Sequence, residues 1–414
     1  MAERTITGLD IGSSRIRVVV SQSLPGEDGK PCLHVLGAVE VPSAGIHRGS
    51  ISSIEDAVSS ISKVLEKSER MTGKPVNHAW VSIAGQQMLV QESRGVIGVS
   101  RPSGEIREED VERVIEAART VATPSNYEIL HVIPKSFTVD GQRGIKDPVG
   151  MHGIRLEVDA VIIQTVSSHI KNVTKSVYRT GLDIDDLVFS PLATAEAVLT
   201  TRQKELGVCV VDIGATSTTL IVYEEGDMLH TAVLPIGGDH ITHDIAICLR
   251  TGIEVAELVK VRVGCAVPDE AAKETFTLKD FGSSEDEPVK PRLVAEIIEA
   301  RAEEMFEAID DELRKIDRSG MLPVGVVLTG GAVKLPGMDS IAKRVLRLPV
   351  TIGIPMGVSS AIDEVRDPSY STAVGLALWG FAIESTSHGH FKFAVRGIQD
   401  ISQTVRKWLK TLIP

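Results

Sequence analysis

The chain has 414 residues, 43% of them hydrophobic and 24% charged, with a formal net charge of −12. That length allows about two to four domains with real cores, and the balance excludes a disordered or fibrous chain. The acidic total argues against nucleic-acid binding, and no apolar run reaches the roughly 18–20 residues of a membrane-spanning helix.

From the N-terminus, Glu3 and Arg4 lead straight into a strand, so no signal peptide is expected and the chain reads as cytosolic. Residues 5–20 read as a hairpin, and a further strand spans 33–41. Residues 51–68 place Ile54, Val58, Ile61 and Leu65 at helical spacing. Short strands follow, with a helix at about 107–122 carrying Val111, Val114, Ile115 and Ala118 on one face. Strands near 128–139 and 154–163 close what reads as an inserted α+β unit. A second lobe starts near Gly207, with an acidic loop at 282–288 and a helix at 291–316. A last helix is expected at 371–382, then a linker from Ser385. This alternation predicts an α/β protein. The four cysteines (Cys32, Cys209, Cys248, Cys265) form no Cys-x-x-Cys pair, so a reducing compartment and no structural zinc are expected.

One motif occurs twice. Asp10-Ile11-Gly12-Ser13-Ser14 returns 202 positions later as Asp212-Ile213-Gly214-Ala215-Thr216, each after an apolar residue and before a β-branched run. A half-length repeat of a Gly turn between strands predicts two related lobes across a cleft. Glycine lets backbone approach a phosphate, and the N–H groups and hydroxyls of Ser13, Ser14, Thr216, Ser217 and Thr218 are suited to donate to its oxygens. Asp10 and Asp212 are candidates to hold Mg²⁺ through its water shell. Gly330-Gly331 ends a buried strand, and Gly237-Gly238 precedes a helix expected near Ile241; both allow close backbone approach to a ligand. Glu257 and Lys260 share a predicted helix face.

With these residues the chain resembles the actin-like ATPases. Residues 9–20 look like the first phosphate loop, 211–222 the second and 326–338 the adenosine motif, with connecting helices at 190–199 and 371–380. Within that superfamily it is most similar to the bacterial cell-division family FtsA, through the run from Gly237 to Ala246 and through Ala256-Glu257-Leu258-Val259-Lys260 with Gly264. The resemblance implies a two-lobed fold of duplicated ribonuclease-H-like domains. It divides the chain into a first lobe (1–82, 164–198, 361–384) with an inserted subdomain (83–163), and a second lobe (199–225, 317–360) with its own subdomain (226–316). A linker (385–395) and a terminal helix (396–414) follow. It implies ATP and Mg²⁺, with phosphate contacts from Gly12, Ser13, Ser14, Arg15, Gly214, Thr216, Ser217 and Thr218. Adenosine or ribose contacts are implied from Gly237, Gly238, Glu257, Lys260, Gly330, Gly331 and Lys334. Arg15 stands where a Lys is usual, and Ala215 where a Gly is frequent. Ser190 precedes Pro191 where hydrolytic relatives often carry Glu; Ser cannot act as a comparable base, so turnover is expected to be slow or absent.

Residues 391–414 carry five basic residues and one acidic, leaving −16 on residues 1–390. Ile398, Ile401, Val405, Trp408, Leu409, Leu412 and Ile413 form one helical face, flanked by Arg406, Lys407 and Lys410. Such a helix either docks on the core or lies in an anionic membrane interface; the basic charge and the linker favour the membrane. The helix at 291–316 is acidic, with Arg301 among its carboxylates, where an i,i+3 pair with Glu304 is the plain reading. The resemblance implies that Arg301 meets the C-terminal peptide of FtsZ. It also implies self-assembly into filaments at the cytoplasmic membrane face, and further division proteins bound to the inserted subdomain. The alternatives are a PilM-like pilus-assembly homologue and an actin-fold sugar kinase.

Overall fold

A computed structural model describes residues 5–25, 31–120, 123–284 and 288–385. The chain opens with an antiparallel meander of β1 (Thr5–Ile11), β2 (Arg15–Pro25) and β3 (Pro31–Pro42). The short pair β4 (Ile46–His47) and β5 (Ser50–Ile51) precedes α1 (Ile54–Thr72). Ser53 caps α1 by accepting the Asp56 N–H, and Gly73 ends it in the left-handed region. Its buried stripe is Ala57, Ile61, Val64 and Leu65, whereas Ile54 and Val58 are only half-buried. The expected face is rotated because the small Ala57 and Ser60 let the helix close on β2 and β3 along their line.

β6 (His78–Ile83) runs parallel to β1. The inserted unit follows: β7 (Leu89–Gly98), α2 (Glu108–Arg119), β8 (Tyr127–Val139), β9 (Gln142–Ile145) and β10 (Arg155–Val166). Its sheet has the order β7-β10-β8-β9, and α2 packs on it through Val111, Val114, Ile115 and Ala118, the expected face. α2 starts at Glu108 because the Asp110 carboxylate accepts the Arg107 N–H (3.1 Å). Then α3 (Ser167–Tyr178) and β11 (Asp183–Phe189) return to the first lobe.

α4 (Ser190–Val198) and α5 (Thr201–Leu206) lead into the second lobe. There β12 (Val208–Ile213), β13 (Thr218–Glu224) and β14 (Asp227–Leu234) repeat the opening meander. Next come α6 (Gly238–Leu249), α7 (Ile253–Val263), the two-stranded pair β15 (Phe276–Thr277) and β16 (Pro288–Val289), and α8 (Pro291–Lys315). β17 (Gly325–Thr329), α9 (Met338–Leu346), β18 (Val350–Ile352), β19 (Val358–Ser359) and α10 (Ser371–Ser385) complete the described chain.

The two main sheets are β11-β6-β1-β2-β3-β19 and β14-β13-β12-β17-β18. In each, a meander strand is bordered by a later parallel strand, β6 beside β1 and β17 beside β12. The lobes therefore repeat each other's topology, as the duplicated motif predicts. One core, including Leu9, Ile61, Val81 and Phe189, fills the first lobe and continues to Val210, Ile221 and Val327 of the second-lobe sheet; a second core holds Leu220, Ile298, Phe306 and Leu328. Each such fully buried side chain contributes about 1.5–3 kcal/mol.

α10 runs to Ser385, past the expected end at Ala382. The rest of the linker and the helix expected at 396–414 lie outside the described residues, as do 285–287 of the acidic loop. Among the described residues no helix is long and apolar enough to cross a membrane.

Candidate functional site

The two Asp-Ile-Gly turns occupy equivalent places. In the first lobe Asp10 pairs with Arg17 and Ile11 with Ile16; in the second, Asp212 pairs with Thr219 and Ile213 with Thr218. Each carboxylate thus stands one residue before the turn. The turns meet across the cleft, where Ser13 Oγ accepts hydrogen bonds from Thr216 Oγ1 and from the Gly49 N–H, both at 3.0 Å. Ala215 is not in the positive-φ region, so its Cβ is tolerated there.

Asp10 Oδ1 accepts from Ser82 Oγ (2.8 Å), which itself accepts the Ile11 N–H (2.9 Å). Burial raises the Asp10 carboxyl above its ordinary value, against the opposing pull of Arg17 and Ser82. Asp212 is pushed up to about 6, first by burial and next by the negative charge of Asp10, with the Thr372 and Thr194 hydroxyls pulling back. Two desolvated carboxylates, one felt by the other, form a site whose repulsion a divalent cation would relieve. Among the described residues no cluster of three or more His, Cys, Asp or Glu could hold a metal. This donor set fits a Mg²⁺ held largely by phosphate and water.

Around this pair the backbone is shaped by glycine. Gly330, at φ +95°, follows β17, and any Cβ there would collide with Asp212 Oδ1. The next residue, Gly331, faces open space. A Cβ on Gly237 would lie 2.6 Å from the Ala215 carbonyl oxygen. The N–H groups of Gly238 and Asp239 donate to the Gly214 and Ala215 carbonyls (2.9 and 2.8 Å). Those bonds start α6 at Gly238, ahead of the expected Ile241, and lock it to the second phosphate loop.

Glu257 and Lys260 lie on one face of α7, as their spacing predicts, and pair at 2.6 Å. Lys260 Nζ also donates to Thr242 Oγ1 (2.8 Å) and the Gly238 carbonyl (3.2 Å). Thr242 Oγ1 in turn donates to Glu257 Oε2 (2.5 Å). Thr242 escapes the sequence reading; its only signal is a position four residues beyond Gly238.

Several expected contacts point elsewhere. Arg15 is 45% exposed and lies 3.7 Å from Glu40, a loose surface pair that does not fix its guanidinium. Thr218 is buried, and its hydroxyl donates to the Ile236 carbonyl (2.8 Å), fixing the turn before Gly237 rather than facing the cleft. Lys334 Nζ is paired with Asp367 Oδ2 (2.6 Å). Ser14 is exposed at the tip of the first turn, and Ser217 is half-buried in the second. Ser190 is buried at the start of α4 and donates to the Ile83 carbonyl (3.3 Å). Arg301 makes a forked pair with Asp244 (2.6 and 2.9 Å) besides its pair with Glu304 (2.6 Å), so its charge is already met by two carboxylates.

The model of the family described as cell division protein FtsA matches residues 209–375, and that of the SHS2 domain inserted in FTSA matches 85–164. Cell division protein FtsA of Pseudomonas aeruginosa is 37% identical over 383 residues, covering 92% of this chain and 90% of its own length. The chain belongs to the FtsA family. Its FtsA relative from Bacillus subtilis is 40% identical and covers 95% of this chain and 88% of that protein. The Escherichia coli K12 FtsA is 33% identical, covering 99% and 96%. Family membership makes this an actin-like cell-division protein and sets aside the pilus-assembly and sugar-kinase alternatives. Among solved structures, the PilM-PilN type IV pilus biogenesis complex matches with a TM-score of 0.66 at 18% identity, covering 91% of this chain and 98% of that one. MreB5 of Spiroplasma citri bound to ADP matches at 0.54 and 13%, covering 93% and 99%. At such identities these two show the fold alone, an α/β actin-like one, and the family model adds the SHS2 insertion at 85–164.

Proposed function

We propose that this FtsA-family protein binds Mg–ATP between its lobes, assembles into filaments on the cytoplasmic face of the cell membrane, and tethers FtsZ there. The joined turns carry this reading: Ser13 and Thr216 connect the loops over the Asp10–Asp212 pair. A related fold, MreB5, has been solved with ADP and with AMPPNP. Bound nucleotide would supply a polyphosphate for the turn N–H groups and bring Mg²⁺ to the two carboxylates. Gly12, Ser13, Ser14, Gly214, Thr216 and Ser217 would receive the phosphates. Glu257, Lys260 and Thr242 would orient the ribose, with Gly237, Gly238, Gly330 and Gly331 giving the base room. Ser190 has no proton-accepting power comparable to a carboxylate, so ATP serves as a conformational ligand with slow turnover.

The amphipathic face of 398–413 anchors the protein to anionic lipid, with Trp408 at headgroup depth and Arg406, Lys407 and Lys410 beside it. An acidic body repelled by the same lipid surface makes this basic segment the natural point of attachment. The surface of α6 and α8 around Arg301 receives the FtsZ peptide. Because Arg301 is held by Asp244 and Glu304, an incoming carboxylate displaces one of these partners. The inserted subdomain receives other division proteins.

Co-pelleting with anionic liposomes, comparing the whole chain with one ending at Ser385, tests the membrane assignment. Pelleting of the full chain alone, weakening with salt, is the expected result. Equal behaviour of both forms would remove the tether from the proposal.

A further inference from the structure

The two connecting helices touch beneath Asp212. Gly375 of α10 lies so close to the Ala193 carbonyl of α4 that any Cβ would collide with it. The next residue of α4, Thr194, and Thr372, three residues before Gly375 on α10, bring their hydroxyl oxygens to 2.9 Å. Both threonines are buried, at 1% and 5% exposure. Thr372 Oγ1 in turn lies 3.2 Å from Asp212 Oδ2. An ionised carboxylate only accepts, so the Thr372 O–H donates to Asp212. That uses its single proton. The Thr194 hydroxyl faces both Thr372 and the same carboxylate, so the two threonines form one hydroxyl pair directed at Asp212. Gly330 stands against the other oxygen, Oδ1, so both sides of the carboxylate are set by chain elements distant in sequence.

We propose that Thr194 and Thr372 are positioning residues that aim the Asp212 carboxylate for the metal–phosphate group. The relay also ties that aim to the α4–α10 crossing. Each helix contributes one hydroxyl, so a shift of Asp212 on loading draws on both connections between the lobes at once. The inference rests on the nucleotide reading above. It adds that the metal-dependent part of nucleotide affinity passes through two hydroxyls that touch neither base nor phosphate.

Thr372→Val keeps the side-chain shape and removes the hydroxyl, whereas Thr372→Ser keeps the hydroxyl. Calorimetric titration of the full chain with ADP, with and without Mg²⁺, separates the possibilities. Wild type is expected to bind more tightly with Mg²⁺. Thr372→Val should lose about tenfold of that gain, the factor carried by one hydrogen bond to a charged group, while its Mg²⁺-free affinity is largely kept. Thr372→Ser should retain the gain. Should Thr372→Val fold poorly, Thr194→Val, which leaves the Thr372 bond to Asp212 in place, should still reduce it. An undiminished Mg²⁺ gain in both valine variants overturns the proposal. So do equal losses with and without Mg²⁺, which mark a purely structural role. A wild type that binds no ADP in either condition ends the nucleotide reading itself and the relay with it.

Discussion

Asp212 is set by Gly330 after β17, by Thr372 of α10, by Thr194 of α4 and by the negative charge of Asp10. Its raised value has a consequence for stability. The folded protein holds a proton on Asp212 up to about pH 6, whereas the unfolded chain releases it near the ordinary 3.8. Between those values the native state binds more protons, so rising pH removes stability, and the loss is complete above the folded value. Apoprotein carrying Asp212→Asn should therefore melt higher than wild type at pH 7.5. The gap should shrink toward pH 4; a gap independent of pH would contradict this assignment. The repeated Asp-Ile-Gly made both carboxylates legible in the sequence, because the turn and its acid are contiguous. Ser82, Thr242, Thr194 and Thr372 were not legible. Each is a lone hydroxyl that the fold delivers to its partner, and only Thr242, four residues beyond Gly238 on α6, carries a spacing signal.

At the level of elements, most strands and helices follow from their own periodicity, and the departures occur at their ends. α6 begins at Gly238 although Gly-Gly reads locally as a break, because carbonyls of a loop far back in the chain receive its first N–H groups. Likewise α1 turns its smaller residues inward, since packing distance to the sheet, and not apolar spacing alone, decides which face is covered. The contact of α4 with α10 has no sequence signal beyond a glycine in a helix. Gly375→Ala should force the two helices apart and destabilise the protein by about 1–3 kcal/mol, the usual cost of overpacking. Chemical denaturation measures this, and a neutral outcome would show that the crossing relaxes freely. Because both helices join the lobes, the same variant should weaken Mg–nucleotide binding without touching the ligand.

Over the whole molecule, two copies of one strand–turn–strand unit enclose the cleft, and an SHS2 unit is inserted into the first lobe. The fold class was legible because the duplication is written into both halves. The inserted unit showed as a change in strand and helix rhythm. The Asp244 partner of Arg301 was not legible, since α6 and α8 meet only in the folded second lobe. An acidic body with a basic terminal segment gives the molecule a polarity suited to a surface tether. Calorimetric titration of wild type and the Asp10→Asn/Asp212→Asn double variant with ATP, with and without Mg²⁺, is the most direct measurement of whether the two turns form one site. Binding that Mg²⁺ strengthens only when the two carboxylates are present is the predicted result. Binding that ignores Mg²⁺, or survives loss of both carboxylates unchanged, would contradict it.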